Sequence, residues 1–201
     1  MRSIYIVLTM TGTIVSRMVK FYTRKEFGHV SIALDKELEK MYSFGRLNPY
    51  NTFIGGFVHE YIHSGTFYRF RNTTSEVLRV RVTDEQYAKI EEIILNMEAE
   101  KEKYKFNIPG LFAVSINKKI QKENHLYCAE FVKYVLEEAG VVEGLPEIIQ
   151  PEHFYVLPHK SIYKGLLRNY RYRVKFTDKE LKQMEKNNIK LSKRKHLNCN
   201  T

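Results

Sequence analysis

The run HLYCAEFVKYVLEEAG, His125 to Gly140, places its apolar residues Phe131, Val132, Val135 and Leu136 at i, i+1, i+4 and i+5. That spacing makes a helix with one apolar face, and such a face must be buried against a second layer. Gly140 is placed to end the helix. The second layer is readable as strands. IYIVLTM (Ile4–Met10) is apolar and β-branched. HVSIAL (His29–Leu34) alternates, with His29, Ser31 and Ala33 on one side and Val30, Ile32 and Leu34 on the other. After the polar turn DKELEK, MYSF (Met41–Phe44) reads as its hairpin partner, and GTFYRF, EVLRVRV and YRYRVKF (Tyr170–Phe176) as further strands. GRLNPYNTFIGGF (Gly45–Phe57) reads as an ordered loop, rich in Gly, Asn and Pro. EHFYVLP reads as the entry to a strand or a short turn.

Four more helices are predicted. One follows TGT over Ile14–Tyr22, and a short one lies within IPGLFAVSIN. Another opens with Thr83-Asp84-Glu85-Gln86, a capping box, and runs to about Tyr104 with Tyr87, Ile90, Ile94 and Met97 as its buried stripe. The last starts at a second capping box from Thr177. The class is α+β with a mostly antiparallel sheet. The reading divides the chain into a domain over 1–176 and a basic helix and tail over 177–201.

At 201 residues the chain buries enough surface to fold without staples. Its two cysteines, Cys128 and Cys199, are too few for a disulfide framework and fit a reducing, cytoplasmic setting. MRSIYIVLTM lacks a following small-residue cleavage site and reads as a strand, with a signal peptide as the alternative. No apolar run reaches the length of a membrane span. Charge is placed unevenly. From Lys160 to Thr201, 13 basic side chains stand against three acidic ones, which accounts for the whole net charge of +10. Such a tail suits phosphates, anionic lipid or an acidic partner, and the plainer reading is a solvated helix with a frayed end.

Cys128 sits three residues before Phe131 and four before Val132, so it leans toward the buried face at the helix start. Unpaired N–H groups and the positive dipole end there favour thiolate over thiol and can receive an oxyanion. The competing role is a small residue filling the helix start. A nucleophilic thiol needs a base. Most of the seven histidines sit in polar, loop-like surroundings, whereas His29 opens an apolar strand behind a glycine. An imidazole held there can take the thiol proton and return it to a leaving group.

GHVSIAL in a strand, followed about a hundred residues later by YCAEFVKYVLEEAG in a helix, resembles the circularly permuted branch of the papain-like NlpC-type superfamily. That branch includes the YiiX-like proteins and lecithin:retinol acyltransferase relatives. MTGTIVSRMVKFYTRKEFGHVSIALD is similar to it as well, and the resemblance covers about residues 3–140. It implies an antiparallel sheet packed on the cysteine-bearing helix, Cys128 as nucleophile and His29 as general base of a thiol hydrolase or acyltransferase. It implies a substrate with an acyl group, whether small molecule, peptide or lipid. The branch usually orients its imidazole with a polar residue on the next strand. In MYSFGR that residue is Ser43, if Met41 faces the site, with Glu60 open as another orienter.

Two rival readings stand beside this one. In the first, the protein is a binding module that uses the basic tail on nucleic acid or anionic membrane. In the second, His59, Glu60 and His63 of HEYIH hold zinc. The short span between glycines in GGFVHEYIHSGTF and the lack of a nearby third ligand argue against the zinc site. No metal or cofactor is expected.

Overall fold

Strand β1 (Arg2–Met10) is buried from Ile4 through Thr9 without a break. A strand with no wet face must lie inside a sheet covered on both sides. The computed structural model, which describes residues 1–12 and 26–171, places it there. The sheet has six strands and every pairing is antiparallel. Its further strands are β2 (His29–Ala33), β3 (Met41–Asn48), β4 (Asn51–Glu60), β5 (Thr74–Val82) and, after a separate pair described below, β8 (His159–Leu166). Their order across the sheet is β4-β3-β2-β1-β5-β8.

Alternation sorts the side chains of the sheet into two cores. One contains Ile4, Ile6, Leu8, Val30, Ile32, Phe44, Phe57 and Leu78. Onto this face pack α2 (Asp84–Ala99), through the expected stripe plus Ile93, and α4 (Cys128–Glu138). Phe131 of α4 meets Phe44 at 5.4 Å and Phe57 at 5.7 Å between ring centroids, the latter edge-on. Each such buried ring contributes about 1.5–3 kcal/mol. The opposite face holds a smaller core of Tyr5, Val7, Ala33, Met41 and Val77. It is closed by Phe67 of the one-turn helix α1 (Gly65–Arg69). Helix α3 (Ile108–Ser115) lies between β6 (Lys105–Phe106) and β7 (His125–Leu126), which pair in parallel.

Local signals act where the sequence placed them. Thr83 Oγ1 accepts from the Gln86 N–H at 3.1 Å, and the Gln86 side chain accepts from the Thr83 N–H at 3.0 Å. Asp35 closes the turn before β3 by accepting from the N–H groups of Glu39 and Lys40. Gly140, at φ +64°, ends α4 in a Schellman arrangement. The Val141 N–H donates to the Leu136 carbonyl at 2.9 Å and the Gly140 N–H to that of Glu137 at 3.0 Å.

Two expectations are corrected. Gly45–Phe57 is mostly strand, with a tight turn only between Asn48 and Asn51. Its glycines serve close packing. A Cβ at Gly55 would lie 2.7 Å from Phe106 Cβ, and one at Gly56 would lie 2.7 Å from the Tyr104 carbonyl oxygen. GTFYRF is a helical turn rather than a strand. EHFYVLP, read as the entry to a strand or a short turn, is a 3-10 helix (Pro151–Val156) that leads into β8. Residues Met1–Tyr170 form one compact unit. The helix expected over Ile14–Tyr22, nearly all of the strand over Tyr170–Phe176 and the basic helix and tail from Thr177 lie outside the described residues. No helix among the described residues is long and apolar enough to cross a membrane.

Candidate active site

His29 is the first residue of β2, paired with Thr9 of β1, and its ring is only 18% exposed. Alternation puts it on the face of Ser31 and Ala33, whereas Cys128 packs with Val30, Ile32 and Leu34 in the other core. Ring and sulfur therefore meet at the end of the sheet, where β2 begins. Phe27 and Gly28, just before His29, line one cavity with Tyr127, Cys128 and Ala129. Cys128 lies close enough to the imidazole to favour its protonated form. Cys128 itself is 3% exposed.

The N-terminus of α4 is fixed from both sides. Glu130 turns back to accept from the Tyr127 N–H at 3.0 Å, and the Tyr127 hydroxyl donates to the Ile149 carbonyl at 3.1 Å. The first intrahelical bond runs from the Phe131 N–H to the Tyr127 carbonyl. The N–H groups ahead of it thus have no acceptor within the helix.

The imidazole is oriented by Glu60, not by Ser43. His29 Nε2 lies 3.1 Å from Glu60 Oε1 and 3.3 Å from Oε2. A carboxylate only accepts, so Nε2 is the donor. The Ser31 hydroxyl donates to Glu60 Oε2 at 2.5 Å and steadies the carboxylate from the same strand as the histidine. Ser43 is on the expected face, but its hydroxyl donates to the Val30 carbonyl at 2.9 Å and serves the strand pairing.

Glu60 belongs to β4, two strands from β2, and must reach across β3. Glu60 pairs with Met41 on β3, and its carboxylate ends near Gly45. A Cβ there would stand 3.5 Å from Glu60 Oε1, 3.8 Å from His29 Cε1 and 3.3 Å from Val58 Cγ1. A Cβ alone would make ordinary contacts with the carboxylate and the ring and a tight one with Val58, and a larger side chain would press on the pair.

Burial of the ring lowers the pKa of His29. The charges of Glu60 and Cys128, with hydrogen bonds to both, outweigh it, and the net result lies well above the ordinary value. Burial without partners would have had the opposite effect.

The HEYIH motif splits between elements. His59 and Glu60 end β4, so neighbours in sequence point to opposite faces. Both ring nitrogens of His59 are engaged: Nε2 donates to the Glu39 carbonyl at 2.7 Å and Nδ1 accepts from the Tyr61 hydroxyl at 3.0 Å. Its ring stacks between Tyr42 and Tyr61 at centroid distances of 4.5 and 4.3 Å. No group of three candidate metal ligands gathers among the described residues.

Two further residues at the site, Gln150 and Glu152, had no signal in the sequence. They lie at the start of the 3-10 helix (Pro151–Val156), where the sequence shows no apolar period, and only the fold brings them to Cys128. Compared with known proteins, the chain matches no family model and no curated relative.

Two predictions follow from this geometry. Gly45→Val pushes the Glu60 carboxylate from the imidazole and crowds Val58, at a cost of about 1–3 kcal/mol. Denaturant unfolding checks it, and wild-type stability would contradict the crossing. The second concerns pH. Because the folded-state pKa of His29 is raised above the usual value of about 6.5, protonated His29 adds stability below that value and loses it as pH rises through the raised one. The melting gap between wild type and His29→Gln should be widest at about pH 5–6.5 and narrow as pH rises. A gap that widens with pH would contradict the assignment.

Proposed function

We propose that this protein is a cysteine-dependent hydrolase or acyltransferase built on a circularly permuted papain-like fold. The observation that carries the reading is one imidazole bonded to Glu60 and close enough to Cys128 for both to favour its protonated form. The three residues come from β2, β4 and α4, so nothing local enforces their meeting. The chain order supports the permuted reading, since the histidine strand precedes the cysteine helix and that helix packs on β2 and β3. The orienting residue departs from the pattern. It is a carboxylate from β4 instead of a polar side chain on β3.

The chemistry runs as follows. Nε2 is committed to Glu60, which leaves Nδ1 for the thiol proton. The sulfur attacks an amide, ester or thioester carbonyl, and the free N–H groups at the start of α4 receive the oxyanion. Imidazolium then gives its proton to the leaving amine, alcohol or thiol, and an acyl-sulfur bond remains. Water, deprotonated by the imidazole, hydrolyses that bond, and a second nucleophile in its place gives acyl transfer. Glu60 keeps the ring in the right tautomer and stabilises imidazolium, which a serine hydroxyl cannot do.

An unassisted thiol is less than about 1% thiolate at pH 6. Iodoacetamide at that pH should therefore alkylate Cys128 on the order of tenfold or more faster than Cys199, with His29→Ala abolishing the difference. Peptide mass spectrometry reads both sites. Equal labelling in the wild type would overturn the reading.

A further inference from the structure

The cavity beside Cys128 is small, about 20 Å³, which is the room taken by one water-sized group. Its walls are largely apolar, from Phe27, Leu111, Val114 and Ile149. Two polar side chains interrupt them, Gln150 and Glu152, on either side of Pro151. Each carries a buried oxygen with no hydrogen-bond partner among the described residues, Gln150 Oε1 and Glu152 Oε2. The other carboxylate oxygen of Glu152 is in use, accepting from the Phe27 N–H at 3.2 Å. That bond fixes Glu152 to the segment that leads into His29.

Buried polar atoms are rarely left without partners, because each forfeits its hydration. Two unpartnered acceptors on side chains that flank one water-sized cavity call for a donor with more than one hydrogen. A carboxylate between apolar walls adds a preference for positive charge, since its field is poorly screened there. An anion or a bare carbonyl meets only acceptors. A primary ammonium fits in size, donor count and charge.

We propose that this cavity is a substrate subsite for a primary amino group, and that the protein acts on acyl substrates bearing a free ammonium close to the scissile carbonyl. Gln150 and Glu152 are then specificity residues, apart from the bond-making work of Cys128 and His29. The proposal rests on the reading of Cys128 as the nucleophile, and the test separates the two.

Cys128 is treated with three methanethiosulfonates: 2-aminoethyl (cationic), n-propyl (neutral, matched in size to aminoethyl) and 2-sulfonatoethyl (anionic). In each the thiolate attacks the sulfenyl sulfur, a mixed disulfide forms and methanesulfinate leaves. Rates at Cys128 are divided by those of the same reagents with N-acetylcysteine, which removes their intrinsic reactivity. The corrected rate of the aminoethyl reagent should exceed that of the sulfonatoethyl reagent by about tenfold or more. E152Q, whose amide oxygen still accepts from the Phe27 N–H, should bring the two close together. Flat corrected rates in the wild type, or full discrimination in E152Q, would overturn the subsite while leaving the nucleophile standing. Failure of all three reagents at Cys128 would overturn the nucleophile, and the subsite with it. If E152Q does not fold, the wild-type series decides.

Discussion

A carboxylate only 9% exposed cannot stand alone in a protein, and Glu60 is held by the His29 ring and the Ser31 hydroxyl. This pair ties together the three strands at one end of the sheet. It requires β4 to present Glu60 at the level of β2, and β3 to carry nothing bulky where the carboxylate crosses. Gly45 meets the second condition. The arrangement is costly unless every member is present, because removing one partner leaves the other charged and buried. The same feature that makes it costly suits it to chemistry. An imidazolium stabilised in a nearly dry setting can exchange a proton with the sulfur beside it.

The rest of the fold holds Cys128 at that ring. Phe131, one turn into α4, is gripped by Phe44 and Phe57, and the Schellman turn at Gly140 ends the helix after eleven residues. Tyr127 and Glu130 pin the opposite terminus. Rotation of α4 about its axis would break the aromatic contacts before it moved the sulfur far. The thiol is thereby placed by packing, and the imidazole by a charged hydrogen bond.

Elements with a strong period and a local stop signal were legible in the sequence. β1, β2, the capped α2 and the Gly140-terminated α4 are of that kind. His29 and Cys128 were legible as well, because each sits at the start of such an element. What escaped reading was set by contacts distant in the chain. Gly55 and Gly56 read as loop residues, yet they pair with Arg46 and Gly45 of β3, and the approach of the 104–106 segment leaves no room there for a Cβ. β8 escaped because it is an edge strand with mostly exposed side chains, and so carries no apolar alternation. In GTFYRF, strand-forming residue types outweighed the single turn that Phe67 anchors. The sequence favours Ser43 over Glu60 by adjacency, since a neighbouring strand is the natural source of an orienter. In the fold the Ser43 hydroxyl is taken by the Val30 carbonyl, and the carboxylate two strands away reaches the ring.

The central claim is that Glu60 holds His29 as a proton-carrying partner for Cys128. It is tested most directly by titrating the His29 ring by NMR in the wild type and in Glu60→Gln. The account predicts a wild-type midpoint well above the ordinary histidine value and a marked fall in Glu60→Gln, where burial is no longer offset by that charge. A wild-type midpoint at or below the ordinary value, or the same midpoint in both proteins, would contradict it.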